Sequence, residues 1–243
     1  DSAALHYYAR VTSGRHFLMA VSRSMELILK GFDFTSARLY LSRLRETIPS
    51  QVIPLFELEA QFLVRAKQEK EAVYVLTKGL KIEPQNEDLL YARAMIEERQ
   101  GNFHEMENDL RAIISQDPDN ASALNALGYS MVLHTTRLQE AYDLIYKAYL
   151  LQPDSAAIID SMGWVLFKKG EIEKALRYIK RAMKLMPDPE IAAHLGEIYW
   201  HMGDKALARR AWAQGLKKSP NHENIITTMH RLNASVIAPE NIK

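Results

Sequence analysis

Two histidines and one serine stand closest to a catalytic or metal-binding pattern in this sequence, and none of them completes one. His194 and His201 are seven residues apart, whereas the helical H-E-x-x-H zinc motif places its histidines four apart. Ser161 is predicted in mid-helix, not at the exposed turn that presents a nucleophilic serine. The chain has no cysteine, which excludes thiolate ligands and disulfides. We therefore expect no enzymatic activity, no bound metal or other cofactor, and no small-molecule substrate.

Large aromatic residues suggest a different chemistry, which is recognition of another protein. They occur at positions where the packing of the predicted helices does not require a large side chain. A row of rings in a concave wall suits the binding of a helix or an extended peptide. The alternative is that the rings pack against neighbouring helices, or that the array closes on itself. The residues concerned are Tyr91, Tyr129, Trp164, Phe167 and Trp200.

These residues belong to a sequence that repeats itself about every 34 positions. Prolines recur at that spacing, small residues precede them in the same rhythm, and glycines keep a third register. Three residue types that share one period indicate a repeat architecture. The prolines are Pro49, Pro84, Pro118, Pro153, Pro187 and Pro220; the small residues are Ala4, Ala37, Ala72, Ala141, Ala175 and Ala208, with Met106 in the missing place; the glycines are Gly128, Gly163 and Gly196.

Each period predicts a pair of helices, here called helix A and helix B, joined by a turn. Within residues 156–187, apolar residues recur at three- and four-residue spacing on both sides of Gly170, which ends helix A. Pro187 ends helix B because proline cannot continue a helix interior. Gly163 and Ala175 are small because the two helices are expected to cross closely there.

The pattern resembles the tetratricopeptide repeat (TPR), most clearly at Leu124-Leu127-Gly128 and Leu195-Gly196-Tyr199. The resemblance implies an all-α solenoid of helical hairpins that forms a right-handed superhelix. We expect a helix B of a truncated repeat in residues 1–15, about six complete repeats in 16–220, a capping helix in 221–234 and a flexible tail in 235–243. Earlier repeats are degenerate, with Arg93 and Met106 in place of leucine and alanine.

The resemblance also implies that partner proteins lie against the concave wall made by the A helices. A carboxylate clamp of the chaperone-tail-binding kind is not evident, because Tyr129 and Trp164 occupy the position of its asparagine. The residues predicted to line the groove are Tyr91, Met95, Asn125, Tyr129, Leu133, Asp160, Trp164, Phe167, Lys168, His194, Glu197, Trp200 and His201.

Charge and hydropathy limit the other classes of partner. The net charge is only +1, which disfavours a nucleic-acid binder of the basic-patch kind. Both ends are mildly basic and the centre is acidic, as expected of solvated helices or of a partner with a complementary charge pattern. No apolar run approaches the roughly 20 residues that span a bilayer, and no signal peptide opens the chain. We expect a soluble segment of a longer protein.

A closer resemblance covers residues 120–215, through the stretches 123–129, 160–165 and 187–197. They look like the C-terminal half of bacterial TPR lipoproteins anchored to the outer membrane from the periplasm. One member of that group is an adaptor that brings cell-wall hydrolases to a carboxyl-terminal processing protease. The resemblance implies a periplasmic adaptor whose lipid anchor lies outside this segment. An assembly factor for a pilus or secretion machine, and the substrate-selecting arm of an enzyme, remain alternatives. The oligomeric state stays open.

Overall fold

A computed structural model describes residues 2–31 and 34–234. Within these ranges the chain contains fourteen α-helices, one short 3-10 helix and no strand, which confirms the all-α prediction. The helices are α1 (Ser2–Ala9), α2 (Phe17–Gly31), α3 (Phe34–Thr47), α4 (Val52–Arg65), α5 (Glu69–Ile82), α6 (Glu87–Arg99), α7 (Phe103–Gln116), α8 (Ala121–His134), α9 (Leu138–Leu151), α10 (Ala156–Lys168), α11 (Ile172–Leu185), α12 (Pro189–His201), α13 (Lys205–Lys218) and α14 (Glu223–Arg231); the 3-10 helix is Pro49–Gln51.

The chain divides into two compact units, residues 1–116 and residues 117–243. The first unit holds α1 to α7, in which α2/α3, α4/α5 and α6/α7 form hairpins. The second holds α8 to α14, with the hairpins α8/α9, α10/α11 and α12/α13. Helix α1 packs on α2 and is shorter than the range predicted for it, since it ends at Ala9. Helix α14 packs on α12 and α13. The tail predicted for 235–243 lies outside the described residues.

Side-chain hydrogen bonds and glycine backbone conformations mark where the helices start and end at the periodic loops. After the proline turns, the side chains of Asn86 and Asn120 accept from backbone N–H groups three residues on, at 3.1 and 2.9 Å. Such N-caps satisfy donors that the first helical turn leaves unpaired. Between helices A and B, Gly170 and Gly203 adopt φ of +83° and +88°, which only glycine accepts without strain.

Helices A and B of the second unit cross so closely that the glycines of the repeat cannot be enlarged. A Cβ on Gly128 would lie 2.6 Å from Ile145 Cγ1, and one on Gly163 would lie 2.5 Å from Ile179 Cδ1. At Gly196 the same atom would overlap the indole of Trp212. The bulky partner in each case comes from helix B. The close crossing predicted from the small residues is thus observed, with one large helix-B side chain seated on each glycine.

In the first unit, an ion pair replaces the expected apolar contact at Arg93. Its guanidinium donates two hydrogen bonds to the buried carboxylate of Asp109 on α7, at 2.7 and 2.8 Å, and a third to Thr77 Oγ1 at 3.0 Å. A bidentate pair of this kind keeps the buried charge of Asp109 satisfied. Met106 takes the small-residue position and is buried there. The degenerate repeat therefore keeps the hairpin with different side chains.

The tight crossing predicts that Gly163→Ala destabilises the second unit. The added methyl group must displace Ile179, and overpacking of this kind costs roughly 1–3 kcal/mol. Ile179→Ala removes both side-chain atoms that the added methyl group would meet, Cγ1 and Cδ1, and costs about 2–5 kcal/mol alone. In the double variant we expect the two costs to be less than additive, measured by urea unfolding. Additive costs would show that Ile179 does not set the spacing of the helices.

Candidate functional site

The A helices α8, α10 and α12 bring three of the four predicted aromatic residues of the second unit into one layer. The fourth, Trp200, contacts Trp212 of α13 instead, with ring centroids 5.7 Å apart. The Trp164 ring stacks on the imidazole of His194, with centroids 4.0 Å apart and planes at 19°. Phe167 lies 5.3 Å from Trp164 and meets His201 edge-on at 5.1 Å. Tyr129 reaches the same imidazole at 6.1 Å. Side chains from three successive hairpins thus form a continuous layer centred on His194.

A hydrogen-bonded network joins the rings of this layer to the buried carboxylate of Asp160 and the partly exposed carboxylate of Glu190. His194 Nδ1 lies 2.9 and 3.0 Å from the two carboxylate oxygens of Asp160, and both side chains are buried. On the other side of the ring, Nε2 is 3.3 Å from the hydroxyl of Tyr129, which donates to Glu190 Oε1 at 3.0 Å. The geometry fits a histidine that donates from Nδ1, so that Asp160 fixes the orientation of its ring.

The surroundings of His194 favour its protonated form. Burial lowers the pKa of the imidazole, but the charge and hydrogen bond of Asp160, with the charges of Glu190 and Glu197, together raise that pKa above its ordinary value. A buried histidinium beside a carboxylate acts as a structural ion pair. The aromatic layer therefore rests on a buried histidine whose charged form is favoured by its pairing with Asp160.

A second buried carboxylate, that of Glu197, is held by two cations. Arg231 on α14 donates to Glu197 Oε2 at 2.6 Å, and Lys168 Nζ lies 3.9 Å from Oε1. The same ammonium group sits 4.3 Å above the Trp164 ring, a cation–π distance. Burial lowers the pKa of Lys168, the charge of Glu197 opposes that effect and the charge of Arg231 adds to it; the net shift is downward.

Sequence reasoning missed the contribution of α14 to this site. Besides Arg231, the amide of Asn224 donates to both oxygens of Glu190, at 2.7 and 2.8 Å. These two pairs and the pair of Asp160 with His194 each join residues 34 positions apart. Because 34 is the repeat period, complementary polar residues one period apart would have identified them.

The observed burial of several side chains corrects part of the prediction of which residues line the groove. Trp164 is 5% exposed and Phe167 9% exposed, so the expectation that packing does not require these rings was wrong. Asp160, His194 and Glu197 are buried as well. These five side chains support the surface but expose almost none of their own area. The prediction that the groove binds a protein stays a prediction.

The outer part of the surface consists of side chains that remain accessible. Leu133 on α8 is 45% exposed, and Lys168 on α10 and His201 on α12 are exposed as well. Asn125, Tyr129 and Trp200 are half-buried. A pocket of about 180 Å³ opens between α8, α10, α12 and α14, lined among others by Tyr129, Leu133 and Trp164. A partner side chain of moderate size would fit there.

The two remaining predicted residues lie in the first unit. Tyr91 and Met95 are on α6, and both are half-buried. Burial raises the pKa of Tyr91, and the charge of Glu98 adds to that effect. They belong to a different compact unit from the other predicted residues, so they are not part of the aromatic layer.

The described residues contain no group of three or more histidine, cysteine or acidic residues that could hold a metal ion. No helix among residues 2–31 and 34–234 has both the length and the apolar character needed to cross a membrane.

Comparison with known proteins decides the family. The sequence profile described as "Tetratricopeptide repeat" matches residues 91–157 and 161–223. The chain belongs to the tetratricopeptide repeat family. Members of this family are generally non-catalytic scaffolds that bind other proteins, which agrees with the hairpins and the layer described above.

Individual relatives support the fold. The chain is 43% identical over 194 residues to "TPR repeat-containing protein PA4667" of Pseudomonas aeruginosa; the match covers 80% of this chain but only 33% of that protein. A TPR protein from Parabacteroides merdae superposes with a TM-score of 0.72 at 17% identity, over 89% of this chain and 85% of that one. PilF of Pseudomonas aeruginosa gives 0.59 at 18%, over 76% and 91%. These two structures establish the same fold.

The pairing of His194 with Asp160 in the aromatic layer predicts a dependence of stability on pH. Because the pKa of His194 is raised on folding, its stabilisation is complete below the unfolded pKa of about 6.5 and is lost as the pH rises through the folded pKa. Asp160→Asn removes a main cause of the raised pKa. The difference in unfolding free energy between wild type and this variant should therefore shrink as the pH rises above the pKa of free histidine.

Urea unfolding at a series of pH values measures this difference. Asp154→Asn serves as the control, because its carboxylate is exposed and pairs only at the surface, with Arg181. The control should show no comparable trend. A difference for Asp160→Asn that stays constant or grows with pH would contradict the assignment of His194 as a protonated, paired side chain.

Proposed function

We propose that this chain is the partner-binding part of an adaptor, and that a segment of another protein binds along the A helices of its second unit. The observation that carries the proposal is the contrast between two sets of side chains on the A helices. One set is buried and held by contacts, and the other, here called the accessible rim, is exposed. Trp164, Asp160 and His194 are buried and hydrogen-bonded or stacked. Lys168 and His201 lie exposed on the same two helices, and Leu133 lies exposed on α8, the A helix that packs on α10.

This arrangement suits protein binding because the supporting side chains do not need to reorganise. A partner that packs on Leu133 and Tyr129 finds their surroundings already ordered by the contacts of Tyr129 with Glu190 and His194. Preorganisation lowers the entropy lost on binding and so favours affinity. An apolar anchor residue in the pocket beside Leu133, flanked by polar contacts, is the usual composition of a small interface.

The biological setting that we propose is the bacterial envelope. The stretches 123–129, 160–165 and 187–197 resemble TPR lipoproteins that link a carboxyl-terminal processing protease to its substrates. In such an adaptor, protease and substrate are held on one molecule, and their raised effective concentration accelerates cleavage without chemistry in the adaptor. We accordingly place the full-length protein in the periplasm, on a lipid anchor outside this segment.

An assembly factor for an envelope machine is the second candidate. The fold similarity to PilF, at 18% identity, is compatible with it but concerns the fold alone. Such a factor would hold its partners in a lasting stoichiometric complex, whereas an adaptor would release its clients after cleavage. A substrate-selecting arm of an enzyme would need a catalytic domain outside this segment.

Degradation of a cell-wall hydrolase by the carboxyl-terminal processing protease of the same organism tests the adaptor proposal. We expect this chain to accelerate cleavage at low substrate concentration, and to lose the effect when present in large excess. The loss follows because excess adaptor binds protease and substrate on separate molecules. Leu133→Ser should reduce the acceleration about tenfold, as expected for an anchor residue worth roughly 1.4 kcal/mol.

Leu150→Ser provides the matched control. Leu150 is 61% exposed and belongs to helix B of the same hairpin as Leu133. Its replacement should leave the acceleration unchanged. Equal losses in both variants, with both folded by circular dichroism, would exclude the A-helix surface. An absence of acceleration by the wild-type chain, together with a stable complex free of protease, would favour the assembly factor.

A further inference from the structure

The B helices α11 and α13 carry a concentration of positive charge that the groove does not use. Helix α11 has five lysine or arginine residues and one acidic residue, and α13 has five and none. The A helices that they pack on have a different composition: α12 carries Glu190 and Glu197 with no lysine or arginine, and α10 carries Asp160 and Lys168. Charge in the hairpins α10/α11 and α12/α13 is therefore separated between helix A and helix B.

Six of these cations form what we call the basic face: Arg177, Lys180 and Lys184 of α11, and Arg210, Lys217 and Lys218 of α13. All six are exposed, and none makes an ion pair with another described residue. The contrast is clear on α11 itself, where Lys174 pairs with Glu171 and Arg181 with Asp154. Like charges that no other described residue neutralises repel each other, so this composition does not stabilise the isolated fold.

Contacts in the structure hold the C-terminal ends of these helices close together. The ammonium group of Lys218 on α13 donates to the carbonyl of Pro187, two residues beyond the end of α11. Tyrosines border the face on its other side: Tyr178 of α11 meets Tyr149 of α9 edge-on at 5.6 Å, and the guanidinium of Arg181 donates to the Tyr149 hydroxyl at 2.9 Å. Tyrosine beside arginine is a composition enriched in protein interfaces.

We propose that the basic face binds an acidic segment of a second partner protein. The occupant follows from charge complementarity, since the face offers exposed cations that form no ion pair with another described residue. Binding here leaves the A-helix surface free, so the chain could hold two proteins at once. The inference goes beyond the proposed adaptor function and does not rest on it, because the basic face exists whatever the groove binds.

Two other anionic partners fit the structure less well. A membrane-bound amphipathic helix inserts an apolar face into the lipid, but the apolar sides of α11 and α13, including Ile179 and Trp212, are buried inside the unit. Nucleic-acid binding normally accompanies a basic domain, whereas the net charge of this chain is only +1. Tyrosines next to arginine favour a protein.

Fluorescence anisotropy with a labelled oligoglutamate peptide tests the proposal on the whole chain. We expect binding that weakens as salt shortens the Debye length from about 10 Å at 0.1 M to about 3 Å at 1 M. Lys180→Glu/Arg210→Glu should weaken it about tenfold or more, because repulsion replaces attraction at two positions. The neutral Lys180→Gln/Arg210→Gln variant should give a smaller loss.

Lys70→Glu/Lys81→Glu is the matched control, since it changes the net charge equally but on exposed positions of α5 in the first unit. It should retain binding. An equal loss in this control, or unchanged binding in the Lys180/Arg210 variants, would overturn the proposal. Tighter binding to phosphatidylglycerol vesicles or to duplex DNA than to the peptide would also overturn it. Leu133→Ser should keep oligoglutamate binding. The test of the basic face is therefore independent of the test of the A-helix surface.

Discussion

The closest approach between helices A and B is the constraint on which the second unit depends. A methyl group does not fit between Gly128 and Ile145, between Gly163 and Ile179, or between Gly196 and Trp212. Each hairpin is therefore a rigid pair with little freedom to slide. Rigid hairpins place residues one period apart opposite each other on successive A helices. The pairs of Asp160 with His194 and of Glu197 with Arg231 are direct consequences.

The sequence predicts the hairpins well because they depend on local, periodic features. Proline, glycine and small residues recur with the repeat, and the structure puts helix ends and close crossings at those positions. The site is harder to predict, since a helix projection says which side a residue faces but not how near the next A helix comes. Trp164 was therefore predicted to be accessible and is buried. Arg93 shows a similar limit. An arginine can occupy this apolar position of the repeat because it pairs with Asp109, sixteen residues away.

The buried layer and the accessible rim have separate roles. Stacking on Trp164 and the ion pair with Asp160 fix His194, and the cations Lys168 and Arg231 fix Glu197. These contacts order the side chains around the Leu133 pocket in the chain without a partner. The B helices α11 and α13 carry exposed cations that form no ion pair with another described residue, so they differ in chemistry from the A helices. An adaptor needs such a difference, because two partners that compete for one surface cannot be brought together.

Site-specific photo-crosslinking tests the central claim most directly, namely that a partner protein lies along the A helices of the second unit. A benzoylphenylalanine at Leu133 probes that surface, and one at Tyr74, an exposed residue of α5, serves as the control. With the carboxyl-terminal processing protease and its substrate present, we predict a protein adduct at position 133 and none at position 74. No adduct at 133, or equal adducts at both positions, would contradict the account.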